Sequence, residues 1–512
     1  MPRRLAAVAL ALVLTTLVLS AAAAASPGRV AWFYKPPTDG SSAAAVASAT
    51  TGQMILTKRD EAFRDQLRAA GYAGSILQYV EAAYVHGPVG VLTGGSACDA
   101  SFAPWGNNVA WNKGDFCRYL HPNEDWFLHN GRGERLVSGY YTGAQGVFYA
   151  MNPANTGWRQ FYASRVRQAL FGDATTPALG FQGIFLDDVW MTRHQLLNRA
   201  SNADGTVREL ATDAALRTAV VGLLETVRSA AGGLPVHANT DGNDFYLPYL
   251  DGTMREDFGA SWNGAYMDAE TVTSLWASAD RATAAGKSLI LVGQGAREDL
   301  DRMRFAYAAY LMAAGPTISF RYTRDSEPYR QIWTFPEYGL DLGVPSGARS
   351  LVAGSTWRRQ FTRGVAVVNL SADSSQMVDL GGVHAAADGS LHSVLVLPPR
   401  TGAVLRRLDG GTGTIASVAP PVVSGTAVDG ATLSATAGSW SVAPSSLAYA
   451  WLRCSTAGAS CKAISGATDP AYKLGRRDVG STIRARVTAR AGAAAAAESS
   501  APTAVVASKR NR

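Results

Sequence analysis

The chain has 512 residues, 47% hydrophobic and 17% charged, the balance of a globular protein with two or three domains. Its formal charge is +7, but part of that sits in Arg3, Arg4 and the terminal "SKRNR". No basic stripe interleaved with aromatic residues is present, so no nucleic-acid partner is expected.

The chain opens on "MPRR", a short basic region, followed by the apolar "LAAVALALVLTTLVLS" and the small-residue run "AAAAASP". This is the pattern of a signal peptide over 1–25, cut after Ala25. A membrane anchor is the alternative. The apolar run is short for a spanning helix once the small residues are set aside, and no later segment is long enough. The mature protein is therefore expected to be secreted, extracellular or cell-surface associated, with no membrane contact after cleavage. Four cysteines suit that compartment. Cys98 lies near Cys117 and Cys454 near Cys461, without the CxxC spacing of zinc sites, so two short-loop disulfides are expected.

From Arg29 to about Thr323, apolar strands alternate with helical stretches. The strand candidates are "RVAWFY", "GSILQYV", "GVFYAM", "GIFLDDV", "LPVHANTD", "DGTMREDF", "SLILVGQG" and "TISFRYT". Helical periodicity runs through "GWRQFYASRVRQALFG", then 207–231, 270–285 and 300–313. Eight strands with intervening helices imply a (β/α)8 TIM barrel over 26–347. A doubly wound sheet would carry a glycine-rich phosphate turn after its first strand, and "WFYKPPTDG" is not one. Residues 81–145 interrupt the alternation with a long segment rich in Gly, Asn and Trp that holds Cys98 and Cys117. Residues 348–408 read as short strands of a small antiparallel β-domain packed on the barrel. A Gly/Ser/Pro linker follows at 409–417, then a β-sandwich at 418–508 and a basic tail at 509–512.

In such a barrel the C-terminal strand ends face the substrate. The fourth expected strand ends in Asp187 and Asp188, beside Trp190. The fifth ends in "HANTDGND", with His237, Asn239 and Asp241, and the sixth in Arg255, Glu256 and Asp257. The seventh ends at Gln294 and the eighth at Arg321 and Tyr322. Two carboxylates across a barrel mouth suit glycoside hydrolysis, which needs neither metal nor organic cofactor. Asp187 and Glu256 are the best-placed pair, with Asp188 leaving the first assignment open by one residue. Tyr34, Gln78, Tyr141, Asp188, Trp190, Asn239, Asp241, Gln294 and Arg321 are the candidate substrate-binding residues. Tyr79, Trp105, Trp111 and Trp262 are further candidate sugar platforms. Plainer roles compete: Asp188 as a turn or helix cap, Asp257 as a solvated or structural acid, His237 and Trp158 as core. A metal-dependent hydrolase using Asp187, Asp188, His237 and Asp241 is disfavoured, because no HExxH occurs and the chain has only seven histidines.

The motifs "WFLHNGRGERL", "MNPANTGWRQFYASRV", "GIFLDDV", "LDGTMREDF" and "LDLGVPSG…WRRQFTRGVAVVNLS" together resemble the bacterial hypothetical glycosyl hydrolases of TIM-barrel type. The resemblance spans about residues 29–408 and implies a barrel followed by a small β-domain. More distantly the arrangement is similar to the polygalactosaminidase and exopolysaccharide-hydrolase barrels. Those have an essential Asp after strand four and a Glu after a later strand, which carries over to Asp187 and Glu256; Asn239 matches a substrate-binding Asn more weakly. "PPVVSGTAVDGATLSATAGSW", "YAWLRCSTAGASCKAISGAT" and "RRDVGSTIRARVTA" resemble bacterial immunoglobulin-like (Ig-like) modules. The combined expectation is a secreted glycoside hydrolase acting on a polysaccharide or oligosaccharide, with possible cell-wall or polymer attachment through the last module. The rival is a non-catalytic cell-surface carbohydrate-binding barrel.

Overall fold

The computed structural model describes residues 28–143, 146–324, 327–408, 415–440, 444, 446–491 and 494–509. The expected signal peptide, most of the linker and the end of the basic tail lie outside the described residues.

Strands β1 (Met54–Thr57) and β2 (Ile76–Glu81) begin a parallel sheet. β3 (Tyr84–Gly87), β4 (Val137–Gly143) and β5 (Gly146–Ala150) form a separate antiparallel sheet in the order β3-β5-β4. The parallel sheet resumes with β6 (Ile184–Asp187), β7 (Val236–Asn239), β8 (Gly252–Arg255), β9 (Ser288–Gln294) and β10 (Ile318–Thr323). Its order is β1-β2-β6-β7-β8-β9-β10. The segment around Val30 closes it. Val30 bridges Phe320 and Trp32 bridges Met54, both parallel, and the Ala31 N–H donates to the Phe320 carbonyl at 3.0 Å. The result is a (β/α)8 barrel whose first strand is little more than two bridges.

Two expectations need correction here. "GVFYAM" is not a barrel strand; it is the central strand of the inserted sheet. The missed barrel strand is β1, four residues buried on both faces, too short to show alternation against its flanks. The two errors cancel in the count, so β6 remains fourth around the barrel.

Side-chain parity sorts the sheet. Ala31, Phe33, Ile55, Leu77, Tyr79, Phe185, Met254, Ile290 and Val292 form the barrel's inner cluster. Their alternates, such as Ile76, Val80, Ile184, Leu186, Val236 and Ala238, face the helices. The last inward positions before the mouth are therefore Glu81, Asp187 and Asn239, with Glu256 just past the end of β8.

The helices are α1 (Ala43–Ala49), α2 (Glu61–Ala69), α3 (Thr156–Phe171), α4 (Arg193–Arg199), α5 (Asp213–Ala231), α6 (Ala269–Ala284) and α7 (Leu300–Ala313). Their starts are set by local side chains: Asn155 accepts from the Trp158 N–H, and Thr192 with Gln195 forms a reciprocal cap on α4. The end of α5 is Gly232, left-handed at φ 59°.

Beyond the barrel, β11 (Ser350–Ala353), β12 (Thr356–Phe361), β13 (Gly364–Asn369), β14 (Gln376–Ala385), β15 (Leu391–Leu397) and β16 (Thr401–Arg407) form one antiparallel sheet, ordered β11-β12-β13-β16-β14-β15. This sheet packs on α7, which explains why α7 is buried nearly all round from Met303 to Ala313. Gly402 makes the contact: a Cβ there would lie 2.6 Å from the Arg304 carbonyl and from Ala308 Cβ. Arg359 on β12 reaches the end of α7 and donates to the carbonyls of Leu311, Met312 and Ala314 at 3.1, 3.0 and 2.8 Å. It thereby satisfies carbonyls a helix end leaves open.

The described residues between 415 and 507 form further antiparallel sheets of two, three and four strands around buried Trp451, Leu433 and Ile483. Disulfides join Cys98 to Cys117 and Cys454 to Cys461. Among the described residues no helix is long and apolar enough to cross a membrane.

Candidate active site

The barrel mouth opens into a cleft of about 570 Å³. Asp187, Asp188, Trp190, Asn239, Asp241 and Glu256 line it, as do Tyr34 and Tyr79. Asp187 ends β6 and Asn239 ends β7, both at inward positions. Glu256 continues the inward parity of Met254.

Asn239 ties the two catalytic candidates together. Its Nδ2 donates to Asp187 Oδ1 at 3.0 Å and to Glu256 Oε2 at 3.1 Å. Those oxygens are at most about 6 Å apart, the two bonds laid end to end. Asp187 also accepts from the Asp188 N–H at 2.9 Å and from the Tyr79 hydroxyl. Three donors thus fix the Asp187 carboxylate. Glu256 is partly accessible from the cleft but deep in the protein. Burial foremost, then the charges of Asp187 and Asp188, push its carboxyl well above the usual range, against the bond from Asn239.

Asp188 does not cap a helix; Thr192 does that for α4. Asp188 turns the chain at φ 54° and pairs with Arg199 at 3.2 Å, while the Arg199 guanidinium lies 4.6 Å from the Trp190 ring. Burial and the neighbouring Asp187 raise its carboxyl, with Arg199 opposing. Asp241 is at the rim, where Gln195 donates to it at 2.9 Å. Asp257 pairs with Arg255 at the cleft edge.

Three residues expected at the substrate surface lie elsewhere. Gln78 has the wrong parity and is fully buried against the helix layer. Gln294 has the right parity but lies beneath the cleft wall, donating to the Glu256 carbonyl at 2.6 Å and the Tyr329 hydroxyl at 2.9 Å. Arg321 is buried, held by the carbonyls of Phe33 and Tyr329, each at 2.7 Å, and stacked near Trp32. Tyr141 falls on β4, but its side chain lies outside the described residues. His237 and Trp158 are core, as the plainer reading has it; burial lowers His237 to about 4. Trp111 is buried under Arg165 and Lys58, away from the cleft.

Two exposed tryptophans flank the site, Trp105 at 41% and Trp262 at 47% exposure. Trp105 and Asn107 sit inside the loop closed by Cys98–Cys117, so the insertion delivers them to the cleft. His86 fixes Trp105: its Nδ1 accepts the Trp105 backbone N–H at 3.1 Å, and its ring lies 4.8 Å from the indole. Burial lowers His86 to about 4, which keeps it a neutral acceptor.

The sequence reading missed Glu81, Asn107 and Arg199. Glu81 is 2% exposed and stands beside Tyr79, whose hydroxyl is 3.2 Å from its Oε1. Leu77, Tyr79 and Glu81 share one parity, but the apolar run "GSILQYV" ends at Val80, one residue short of it. Asn107 and Arg199 come from a loop and a helix end, where no periodicity points inward. Among the described residues no group of three or more His, Cys, Asp or Glu side chains is arranged to hold a metal ion.

The family model described as hypothetical glycosyl hydrolase family 15 matches residues 103–365, just over half of the chain. The chain belongs to this family. It is thus a glycoside hydrolase by class, and a carbohydrate is its substrate. Solved structures are similar at low identity. The glycoside hydrolase domain of PelA from Pseudomonas aeruginosa is 13% identical, over 60% of this chain and 98% of that one, with a TM-score of 0.38. The alpha-galactosidase TtGalA from Thermus thermophilus is 14% identical over 65% of each chain, with a TM-score of 0.33. A Paenibacillus cycloisomaltooligosaccharide glucanotransferase is 13% identical, over 75% of this chain and 55% of that one, at 0.32. No curated protein sequence matches this family member.

Proposed function

We propose that the protein is a secreted, metal-independent retaining glycoside hydrolase of an extracellular polysaccharide, with Asp187 as nucleophile and Glu256 as acid/base. The observation that carries this reading is the shared Asn239 nitrogen. It holds one oxygen of each carboxyl within about 6 Å of the other, a bound that agrees with the ~5–5.5 Å separation of the carboxyl groups in retaining enzymes.

Each residue's setting suits its step. Glu256 begins protonated, because burial and two acidic neighbours raise its carboxyl, and it gives that proton to the departing glycosidic oxygen. Asp187, oriented by Asn239, Tyr79 and its neighbour's N–H, bonds to the anomeric carbon as that oxygen leaves. Glu256, now ionised, takes a proton from water, which attacks the same carbon and releases Asp187. Trp105 and Trp262 offer flat faces on which sugar rings stack, and Tyr34 covers the floor beside Tyr79 at a ring distance of 5.0 Å.

The units at 26–347, 348–408 and 418–508 take the roles of catalytic barrel, packed β-domain and Ig-like attachment module. The secreted reading rests on the sequence of residues 1–25 and agrees with the two disulfides.

The test is a screen of the purified protein against a polysaccharide panel, with Asp187→Asn and Glu256→Gln beside the wild type. Cleavage by the wild type that both variants lose by at least about a thousandfold supports the pair. Binding without cleavage of any glycan would favour the carbohydrate-binding alternative.

A further inference from the structure

Tyr79 has one hydroxyl proton and two carboxyl neighbours. Its Oη lies 3.2 Å from Glu81 Oε1 and in closer contact with Asp187 Oδ2. Ionised carboxylates only accept hydrogen bonds, and one phenolic proton cannot point well at both. A proton on one of the two carboxyls would let both contacts be full hydrogen bonds.

The surroundings identify which. Asp187 accepts from Asn239 at 3.0 Å and from the Asp188 N–H at 2.9 Å, the setting of an ionised acceptor. Glu81 is almost fully buried; Asn107 offers its Oε1 only a long 3.4 Å contact, and its Oε2 has no hydrogen-bond partner. A charge left there would be both desolvated and poorly bonded. The charged and titratable groups around it are Asp187 at the end of β6 and Asp188 just after it, Arg199 on α4, Tyr34, Tyr84, and Tyr162 on α3, whose hydroxyl donates to the Glu81 carbonyl at 2.9 Å. Burial first, then Asp188 and Asp187, raise the Glu81 carboxyl well above the usual range, outweighing Tyr79 and Arg199.

We propose that Glu81 is a standing carboxylic acid that donates its proton to Tyr79 Oη and so commits the Tyr79 proton to Asp187. Glu81 is a positioning residue, acting through Tyr79 on the nucleophile. No proton is transferred along the chain; each stays on its own oxygen while Asp187 bonds to the sugar and is released. The inference rests on the reading of Asp187 as nucleophile, but its first test does not.

That test is infrared difference spectroscopy of wild type against Glu81→Gln at neutral pH, with no substrate present. A protonated-carboxyl C=O band present in the wild type, shifted in D2O and absent from the variant, is expected. No such band would overturn the proposal, whatever the fate of the nucleophile. The second test is kinetic, on the glycan the wild type cleaves. Glu81→Ala and Tyr79→Phe should each lower kcat by about a hundredfold with KM little changed, and the double variant should be no worse than either. Glu81→Gln, which keeps a neutral donor, should recover most of the alanine variant's loss and leave the alkaline limb of the pH profile in place. A limb that moves to lower pH in Glu81→Gln would mean that a negative charge was removed, and the proposal fails. Full turnover by Asp187→Asn with the infrared band intact would sink the nucleophile assignment and leave the protonated Glu81 standing.

Discussion

Asn239 Nδ2 stands 3.1 Å from Oε2 of Glu256, at the end of the strand next to the one that carries Glu256. Because the same nitrogen holds Asp187, removing it should disturb both carboxyls at once. Asn239→Leu keeps the bulk and loses the donor. A fall in kcat of about a hundredfold is expected, as for loss of one preorganised donor. The bond from Asn239 also lowers the Glu256 carboxyl, so its loss raises that group further. Glu256 must be protonated to act, and activity falls as pH rises through its pKa. The alkaline limb of the kcat/KM profile should therefore move to higher pH in the variant. A limb that stays put or moves down would show that Asn239 does not act on Glu256.

A second pH effect belongs to the insertion. His129 lies between Glu209, 2.6 Å from its Nδ1, and Glu124, 2.8 Å from its Nε2, and these bonds raise its pKa. For a histidine raised by folding, the stabilisation is complete below the unfolded value and is lost as pH rises through the folded one. Relative to His129→Phe, the wild type should be more stable by about 1 kcal/mol at pH 5, with the gap closing in mildly alkaline solution. Thermal unfolding across pH measures this; a gap that widens with pH would reverse the assignment.

Arg359 should matter more than a surface arginine. It is bonded to three carbonyls at the end of α7, the helix shared by barrel and β-domain. Arg359→Ala should cost about 1–3 kcal/mol and lower Tm by several degrees, with little change in kcat. Cutting the chain near Ser346 would strip the cover from α7 and should give aggregated protein. Cutting near Gly410 should leave a folded barrel with unchanged turnover on a soluble glycan. Soluble, active protein from the first cut alone would reverse the roles given to the two β-regions.

The barrel and its mouth are legible because β2, β6, β7, β8, β9 and β10 are short apolar runs set between turn residues and helical stretches, and because Asp187, Asn239 and Glu256 follow such runs directly. What escaped did so for physical reasons. β1 is a four-residue apolar run, "MILT", that ends in no acid or amide to draw the eye to a barrel mouth. "GVFYAM" has strand chemistry without any mark of which sheet it joins. Gln78 fails as a mouth residue because it neighbours inward Leu77 and Tyr79, and two adjacent strand residues cannot both face inward. Gln294 and Arg321 show that inward parity alone does not reach substrate, since backbone carbonyls can claim the side chain first.

The anomeric configuration of the first product, followed by NMR from the start of digestion of a cleaved glycan, tests the pairing of Asp187 with Glu256 most directly. Asp187 forming a bond to the sugar before water enters requires two displacements at one carbon. The product should therefore first appear with the configuration of the cleaved linkage and only later drift to the equilibrium mixture. First appearance of the opposite anomer would contradict the nucleophilic role of Asp187.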